Sequence, residues 1–144
     1  MKNFTIVVLL LLLAFTISSC KKDDPTEDVT ELIVGKRFFK KNYEVVTRNG
    51  QKTETTDTNF GNEDYLEFKK DGTGKYSEVG DTDNFTYKIT GNNILTLYYD
   101  GDDAAEEPVE ITLLNSTDFV ILYKGSEIYE GITKIWNTET TFKK

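Results

Sequence analysis

The sequence has no histidine among its 144 residues. Histidine titrates near neutral pH and is the commonest metal ligand in proteins, so its absence removes the usual proton shuttle and the usual metal-binding side chain. Every mechanism that depends on a Ser-His-Asp or a Cys-His arrangement is excluded with it.

Basic residues are outnumbered by acidic ones, 17 against 25, which gives a net charge of −8. An acidic chain repels phosphate backbones, so nucleic acid is not expected as a partner. Charged residues make up 29% and aromatic residues 12% of the chain, a mixture that can bury a core. The length and composition together indicate one folded domain.

Cysteine occurs once, at Cys20, shortly after a long apolar run. That run, from Phe4 to Ile17, carries no charge over 14 residues and follows the positively charged start Met1-Lys2-Asn3. A membrane-spanning helix needs about 20 apolar residues, so the shorter run is typical of a secretory signal peptide.

The residues Ile17-Ser18-Ser19-Cys20 resemble a bacterial lipobox. The resemblance implies that residues 1–19 are a lipoprotein signal peptide and that Cys20 carries a diacylglyceryl group and an N-acyl chain such as palmitate, which anchor a protein stably. Residues 20–29 then comprise the lipidated cysteine and a hydrophilic tether, and residues 30–144 the folded domain. Two alternatives stay open: a signal peptide cleaved elsewhere, with Cys20 a free thiol, and an uncleaved membrane anchor.

The residues after the cysteine, Lys21-Lys22-Asp23-Asp24, resemble the export signal of surface-displayed lipoproteins in the Bacteroidetes. The same residues also fit a solvated tether that holds the domain off the membrane. We therefore expect an outer-membrane lipoprotein, at the periplasmic face or at the cell surface.

A helix start precedes the folded body of the chain. Asp24 fits an N-cap, Pro25 the first helical position and Glu27 the third. We expect a short helix near residues 25–33, which Gly35 can end.

After Gly35 the apolar residues recur with a period of two, which predicts strands. The turns that separate them are predicted at Asn49-Gly50, Asp71-Gly72-Thr73-Gly74, Gly91-Asn92-Asn93 and Asn115-Ser116-Thr117. The last strands are predicted over Phe119–Tyr123 and Ile128–Trp136. Eight or nine short strands joined by tight turns favour a barrel or a sandwich, and closure into a barrel removes exposed edges.

With these features the chain resembles the small lipocalin-like lipoproteins of the Bacteroidetes. The resemblance is carried by the lipobox, by Gly35-Lys36, and by the segments LEFKKDGTGKY and YKITGNNILTLYY, and it spans about residues 30–136. It implies an all-β, up-and-down antiparallel lipocalin-like β-barrel of about eight strands with a short N-terminal helix. It also implies a protein that binds a ligand or a partner.

The start of the first strand departs from the lipocalin pattern. Lipocalins have Gly-x-Trp there, whereas this chain has Gly35-Lys36-Arg37, and its single tryptophan is Trp136. One hypothesis is a swapped pair at the barrel floor, with the Arg37 guanidinium over the Trp136 ring. The alternative is that Phe38 or Phe39 fills the floor and Trp136 belongs elsewhere in the core.

The barrel interior is the first candidate binding site. The expected inward residues are Tyr43, Phe68, Tyr76, Phe85, Tyr87, Leu95, Leu97, Tyr99, Ile111 and Tyr123. Tyrosines join an apolar ring to a hydroxyl, so those of this set, with Phe68 and Phe85, would suit an apolar or amphipathic ligand. The alternative is that these rings fill the interior themselves.

Two further candidates are acidic. The loop Asp100–Glu107 offers five carboxylates to Ca²⁺ but fails the EF-hand pattern, with Ala105 where glycine is needed. Asp81 with Asp83, or Asp100 with Asp102, has the spacing to share one face of a strand, but catalysis needs two carboxylates in a cleft. We therefore expect no metal, no cofactor and no enzyme activity.

The sequence thus favours a membrane-anchored lipoprotein whose barrel binds a small apolar or amphipathic ligand. The alternative is a non-enzymatic interaction module of a cell-surface assembly, with a filled barrel and a protein partner that the sequence does not name.

Overall fold

The computed structural model describes residues 28–100 and 108–144. This part of the chain forms one helix and nine strands. They are α1 (Val29–Ile33), β1 (Gly35–Arg48), β2 (Gln51–Asp57), β3 (Tyr65–Phe68), β4 (Thr73–Glu78), β5 (Asp81–Thr90), β6 (Ile94–Tyr99), β7 (Val109–Leu114), β8 (Asp118–Tyr129) and β9 (Ile132–Lys143).

All pairings in the sheet are antiparallel, and β3 to β9 follow one another in chain order. Strand β1 pairs with β3 through its first residues and with β9 along most of its length. These pairings close a ring of eight strands, β1 with β3 to β9, while β2 pairs with β1 outside the ring. The predicted all-β, up-and-down antiparallel barrel of about eight strands with a short helix is confirmed.

The helix begins later than the sequence pattern predicted. Asp28 is its N-cap, with an extended backbone, and its side chain accepts a hydrogen bond from the Thr30 N–H at 2.9 Å. Of the short helix expected near residues 25–33, Val29–Ile33 is helical, while residues 25–27 lie outside the described residues. Asp28 and Glu31 have the spacing of a second helix start, one turn after the one centred on Pro25.

The tight turns lie where turn chemistry predicted them. Asn49 and Gly50, between β1 and β2, both have positive φ, as a two-residue hairpin turn requires. One predicted strand is wrong, because Glu130 and Gly131 form a further hairpin turn inside Ile128–Trp136. The true closing strand is β9, and its Phe142 pairs with Phe39 of β1.

A β-bulge in β1 sets which side chains face the interior. The pairing of β1 with β9 shifts between Phe39 and Lys41. Because side chains alternate along a strand, one extra residue moves every later side chain to the opposite face. Arg37 and Phe39 point inward before the bulge, and Asn42, opposite Thr140, belongs to the inner face after it.

The core lies in the half of the barrel next to α1. Its buried side chains come from the helix and from six strands, and they are Ile33, Leu66, Phe68, Phe85, Leu95, Ile111, Phe119 and Phe142. Gly74 stands opposite Phe85, and a Cβ at Gly74 would lie 2.2 Å from that ring, so the ring lies directly against the strand. Four of the eight buried core side chains are phenylalanine rings.

Four strands continue beyond the core as a sheet extension. It consists of β2 with residues 42–48 of β1, 132–140 of β9 and 121–129 of β8. Every residue of β2 is exposed. The extension has an inner face, continuous with the barrel interior, and an outer face.

Candidate functional site

The two ends of the barrel differ in how they are closed. The turns 69–72, 91–93 and 115–117 lie at the end that holds α1, the helix end. The turns at Asn49-Gly50 and Glu130-Gly131 lie at the other end, where they finish the sheet extension. No helix among residues 28–100 and 108–144 covers this end, which we call the open end. Ile33 of α1 is fully buried at the helix end, which the helix therefore plugs.

Arg37 connects helix α1 to the barrel through hydrogen bonds. Its side chain is fully buried, Nη1 donates to the backbone oxygen of Asn115 at 3.3 Å, and Nη2 donates to the backbone oxygen of Leu32 in α1. Burial lowers the pKa of this guanidinium, and the charge of Asp118 partly opposes that shift. Within the described residues, its Nε has no hydrogen-bond partner.

The predicted contact between Arg37 and Trp136 is wrong. Trp136 pairs with Val46, nine residues along β1 from Arg37, which places the two side chains about 30 Å apart at the usual rise per strand residue. Trp136 lies in the extension, where its ring approaches Gly125 so closely that a Cβ there would be 2.3 Å from Cζ2. Phe38 points outward against Tyr65, and Phe39 lies one layer above Arg37.

The interior is filled by its own rings above this plug. Phe68 meets Phe85, Tyr87 and Phe119 edge-on, at centroid distances of 5.6, 5.1 and 5.9 Å. Phe119 stacks on Phe142 at 5.2 Å. The edge-on and offset geometries are the favourable ones for aromatic pairs, so these rings form a specific packed layer. A cavity of about 360 Å³ adjoins the layer at the helix end, where Tyr87 and Ile89 meet α1.

A second aromatic layer lies nearer the open end. Phe39 contacts Phe142 at 4.5 Å, Phe60 at 5.3 Å and Tyr76 at 6.1 Å. Tyr76 also meets Tyr99 edge-on at 6.2 Å. The Tyr76 hydroxyl donates to the Glu78 carboxylate, and burial followed by this hydrogen bond raises the pKa of the phenol. The second layer therefore carries a polar group of its own, the Tyr76 hydroxyl.

Beyond the second layer the inner face is mixed in character. The Thr140 hydroxyl lies 3.2 Å from the amide oxygen of Asn42, directly across from it. Tyr123 and Trp136 lie on the same face, with ring centroids 6.5 Å apart. All four side chains are half-buried, so this surface combines aromatic rings with hydroxyl and amide groups that solvent reaches.

Most of the predicted interior residues lie on the inner face. These are Phe68, Tyr76, Phe85, Tyr87, Leu95, Leu97, Tyr99, Ile111 and Tyr123. Tyr43 is the exception: it follows the bulge, pairs with Thr56 and Glu139 on the outer face, and its pKa is raised chiefly by a hydrogen bond to Glu54. The ligand-binding role of the set stays a prediction.

Other inner-face residues were not predicted from the sequence. Asn42 and Thr140 sit in polar stretches without apolar alternation, and only the pairing of β1 with β9 brings them together. Phe142 lies beyond the predicted last strand. Phe39, which the alternative hypothesis named with Phe38 as a candidate for the floor, joins both aromatic layers.

The two acidic candidates are a carboxylate pair for catalysis and a calcium loop. Asp81 and Asp83 share the inner face at the open end of β5, with Asp81 opposite Glu78, and both are exposed. Within residues 28–100 and 108–144, no three His, Cys, Asp or Glu side chains lie close enough together to hold a metal ion. Of the predicted calcium loop only Asp100 lies within those residues, as Gly101 to Glu107 fall outside them. Cys20 and the lipobox also lie outside the described residues.

A closed antiparallel barrel with a short helix packed into one end defines a class of small binding barrels. A family model for the lipocalin-like domain matches residues 33–121, and the chain belongs to that family. The family is generally a non-enzymatic binding fold. No curated protein and no solved structure matches the chain. No helix among the described residues is long and apolar enough to cross a membrane.

Proposed function

We propose that this protein is a lipid-anchored binding protein that holds one small amphipathic ligand against the inner face of its open end. One observation carries the proposal: the inner face changes from a layer built on four buried phenylalanines to half-buried tyrosine, tryptophan, threonine and asparagine beyond the second aromatic layer. A ligand with an apolar body and polar groups matches that change.

The packed half supports the position of this site. Phe68, Phe85, Phe119 and Phe142 are each at most 1% exposed, so the proposed ligand would lie beyond these four rings and not between them. Its apolar part would rest on Tyr99, Tyr123 and Trp136. The Asn42 amide and the Thr140 hydroxyl would hydrogen-bond its polar groups.

The proposed lipid anchor would orient the barrel with its helix end toward the membrane. Cys20 precedes Asp28, the N-cap of α1, by eight residues. Eight extended residues reach about 28 Å, so a lipid on Cys20 would hold the helix end toward the membrane. The open end would then face the aqueous side, from which a ligand arrives. We place the protein at the outer membrane, on its periplasmic face or at the cell surface.

The direct test is to purify the full-length protein from membranes of its native host and identify co-purifying small molecules by native mass spectrometry. We expect an amphipathic molecule in a one-to-one complex. Replacing Tyr123 with alanine should release it, whereas the matched change Tyr43→Ala on the outer face should not. Retention of the molecule by Tyr123→Ala, with loss from Tyr43→Ala, would contradict the site.

A second candidate function is favoured by the outer face of the extension. Ile128 is 77% exposed and Ile135 46% exposed there, on neighbouring strands. Exposed apolar side chains that lie together mark protein contact surfaces. A stoichiometric co-purifying protein, with no small molecule in the barrel, would support an interaction module of a surface assembly instead.

A further inference from the structure

The tip of the sheet extension contains a cavity of about 280 Å³ that is separate from the aromatic layers. It is lined by Arg48, Glu127, Tyr129, Ile132 and Lys134. The pairings of β1 with β9 and of β8 with β9 put all five side chains on the inner face. The cavity therefore continues the surface that holds Trp136.

Two cations face each other across the strands at this cavity. Arg48 pairs directly with Lys134, and Lys134 pairs on its other side with Glu127. Like charges in directly opposite positions destabilise a sheet, so their pairing has a cost that folding alone does not explain. Glu127 offsets one of the two charges, at 3.3 Å from the Lys134 ammonium.

The second cation, Arg48, has no ion-pair partner in the part of the chain that the structure describes. Among residues 28–100 and 108–144, Arg48 takes part in none of the ion pairs, and its side chain is exposed. Two cations against one carboxylate leave this cavity locally positive in a chain whose net charge is −8. A guanidinium beside an ammonium is suited to hydrogen-bond a carboxylate or a phosphate.

An apolar surface adjoins the cations on the same face. Tyr129 is 71% exposed and Ile132 is 43% exposed. The Lys134 ammonium lies 4.9 Å from the centre of the Trp136 ring, so the cationic and aromatic surfaces are continuous. A ligand that reaches from Trp136 to Arg48 would contact rings first and positive charge last.

We infer that this cavity is the head-group subsite of the ligand site: Arg48 and Lys134 bind the anionic head group, carboxylate or phosphate, of an amphipathic ligand whose apolar part lies on Ile132 and Trp136. The inference rests on the proposed function and adds the charge of the ligand and the direction in which it lies.

The fluorescence of Trp136 can report ligand binding, because Trp136 is the single tryptophan of the chain. Full-length protein in phosphatidylcholine vesicles is titrated with octanoate, octyl phosphate, octanol and inorganic phosphate while Trp136 emission is recorded. We expect octanoate and octyl phosphate to bind more tightly than octanol, and inorganic phosphate to bind weakly because it has no apolar part. The first two probes separate a fatty acid from a phosphate ester.

The variants are Arg48→Gln and Lys134→Gln, with Lys124→Gln as the matched control on the outer face. Each variant at the cavity should weaken octanoate or octyl phosphate binding on the order of threefold to tenfold and leave octanol binding unchanged. The control should change neither. Equal binding of all three octyl probes, or unchanged affinity in both cavity variants, would overturn the subsite and leave the proposed function standing. Absence of binding by every octyl probe would overturn both.

Discussion

Arg37 and Asn115 are 78 positions apart in the sequence and meet at the helix end of the barrel, where Arg37 Nη1 donates to the Asn115 backbone oxygen at 3.3 Å. The same guanidinium donates to Leu32 in α1. One buried side chain thus joins the helix, the first strand and the turn between β7 and β8.

The first prediction concerns this junction. Arg37→Met keeps the apolar stem but leaves two carbonyl oxygens without donors, and we expect the free energy of unfolding to fall by about 2–4 kcal/mol. Urea denaturation measures it. Arg48→Met, an exposed arginine on the same strand, is the control and should change stability by less than about 0.5 kcal/mol. Equal stability of the two variants would show that the bonds of Arg37 do not hold the plug.

The second prediction concerns Gly74. A Cβ at this position would stand 2.2 Å from the Phe85 ring and 2.5 Å from the Glu67 backbone oxygen, and the backbone cannot move aside cheaply. We expect Gly74→Ala to destabilise the barrel by about 1–3 kcal/mol through overpacking. Thermal unfolding followed by circular dichroism tests this. Gly61→Ala is the control, since its nearest contact would be 3.6 Å and its melting temperature should stay near that of the parent.

The third prediction concerns the stability of the protein at acidic pH. The Asp64 carboxylate accepts hydrogen bonds from the Val79 N–H at 2.8 Å and the Gly61 N–H at 2.6 Å, and these bonds lower its pKa below the ordinary 3.8. Because the folded pKa is the lower one, its stabilising contribution is complete above about pH 3.8 and is lost as the pH falls through the folded value.

Urea midpoints measured at pH 7 and at pH 3 test this. The parent should lose stability between the two, and Asp64→Asn should lose less, since the variant has no carboxyl to protonate there. Glu63→Gln, at the exposed neighbouring residue, should behave as the parent does. If the urea midpoint of Asp64→Asn falls between pH 7 and pH 3 as much as that of the parent, other carboxylates are responsible for the acid sensitivity.

The fourth prediction concerns the anchor. Cys20→Ala removes the only cysteine. It should abolish incorporation of labelled palmitate and release the protein from the outer-membrane fraction, with an unchanged urea midpoint. Ser19→Ala keeps a small residue before the cysteine and should stay lipidated. Retention of Cys20→Ala in the membrane fraction after a carbonate wash would contradict the lipoprotein assignment.

The sequence predicted the barrel because its signals are local. The apolar alternation of strands such as β5 and β6, and turn residues such as Asn49-Gly50, depend on neighbours only a few residues away. The polar strand β2 carries no such alternation and is recognised only as the second arm of the hairpin at Asn49-Gly50. The hairpin turn at Glu130-Gly131 was missed because glutamate at a positive φ is not a usual turn residue.

The candidate site was less predictable from the sequence, and Tyr43 shows why. Counting alternate residues from Arg37 places Tyr43 inside, but the bulge after Phe39 moves it to the outer face and brings Asn42 inward. The cations at the tip depend on the same pairing, since Arg48 meets Lys134 only when β9 lies along β1 in this register.

The sequence by itself determined the class of fold, the order of the strands, and the apolar residues of β3 to β7 that fill the core. It did so because side-chain periodicity and turn chemistry are fixed over a few residues. Tertiary structure alone decided which face β1 presents beyond its bulge, how β9 closes the ring, and which charges meet at the tip. Those outcomes depend on registers between segments about a hundred residues apart, which no local pattern encodes.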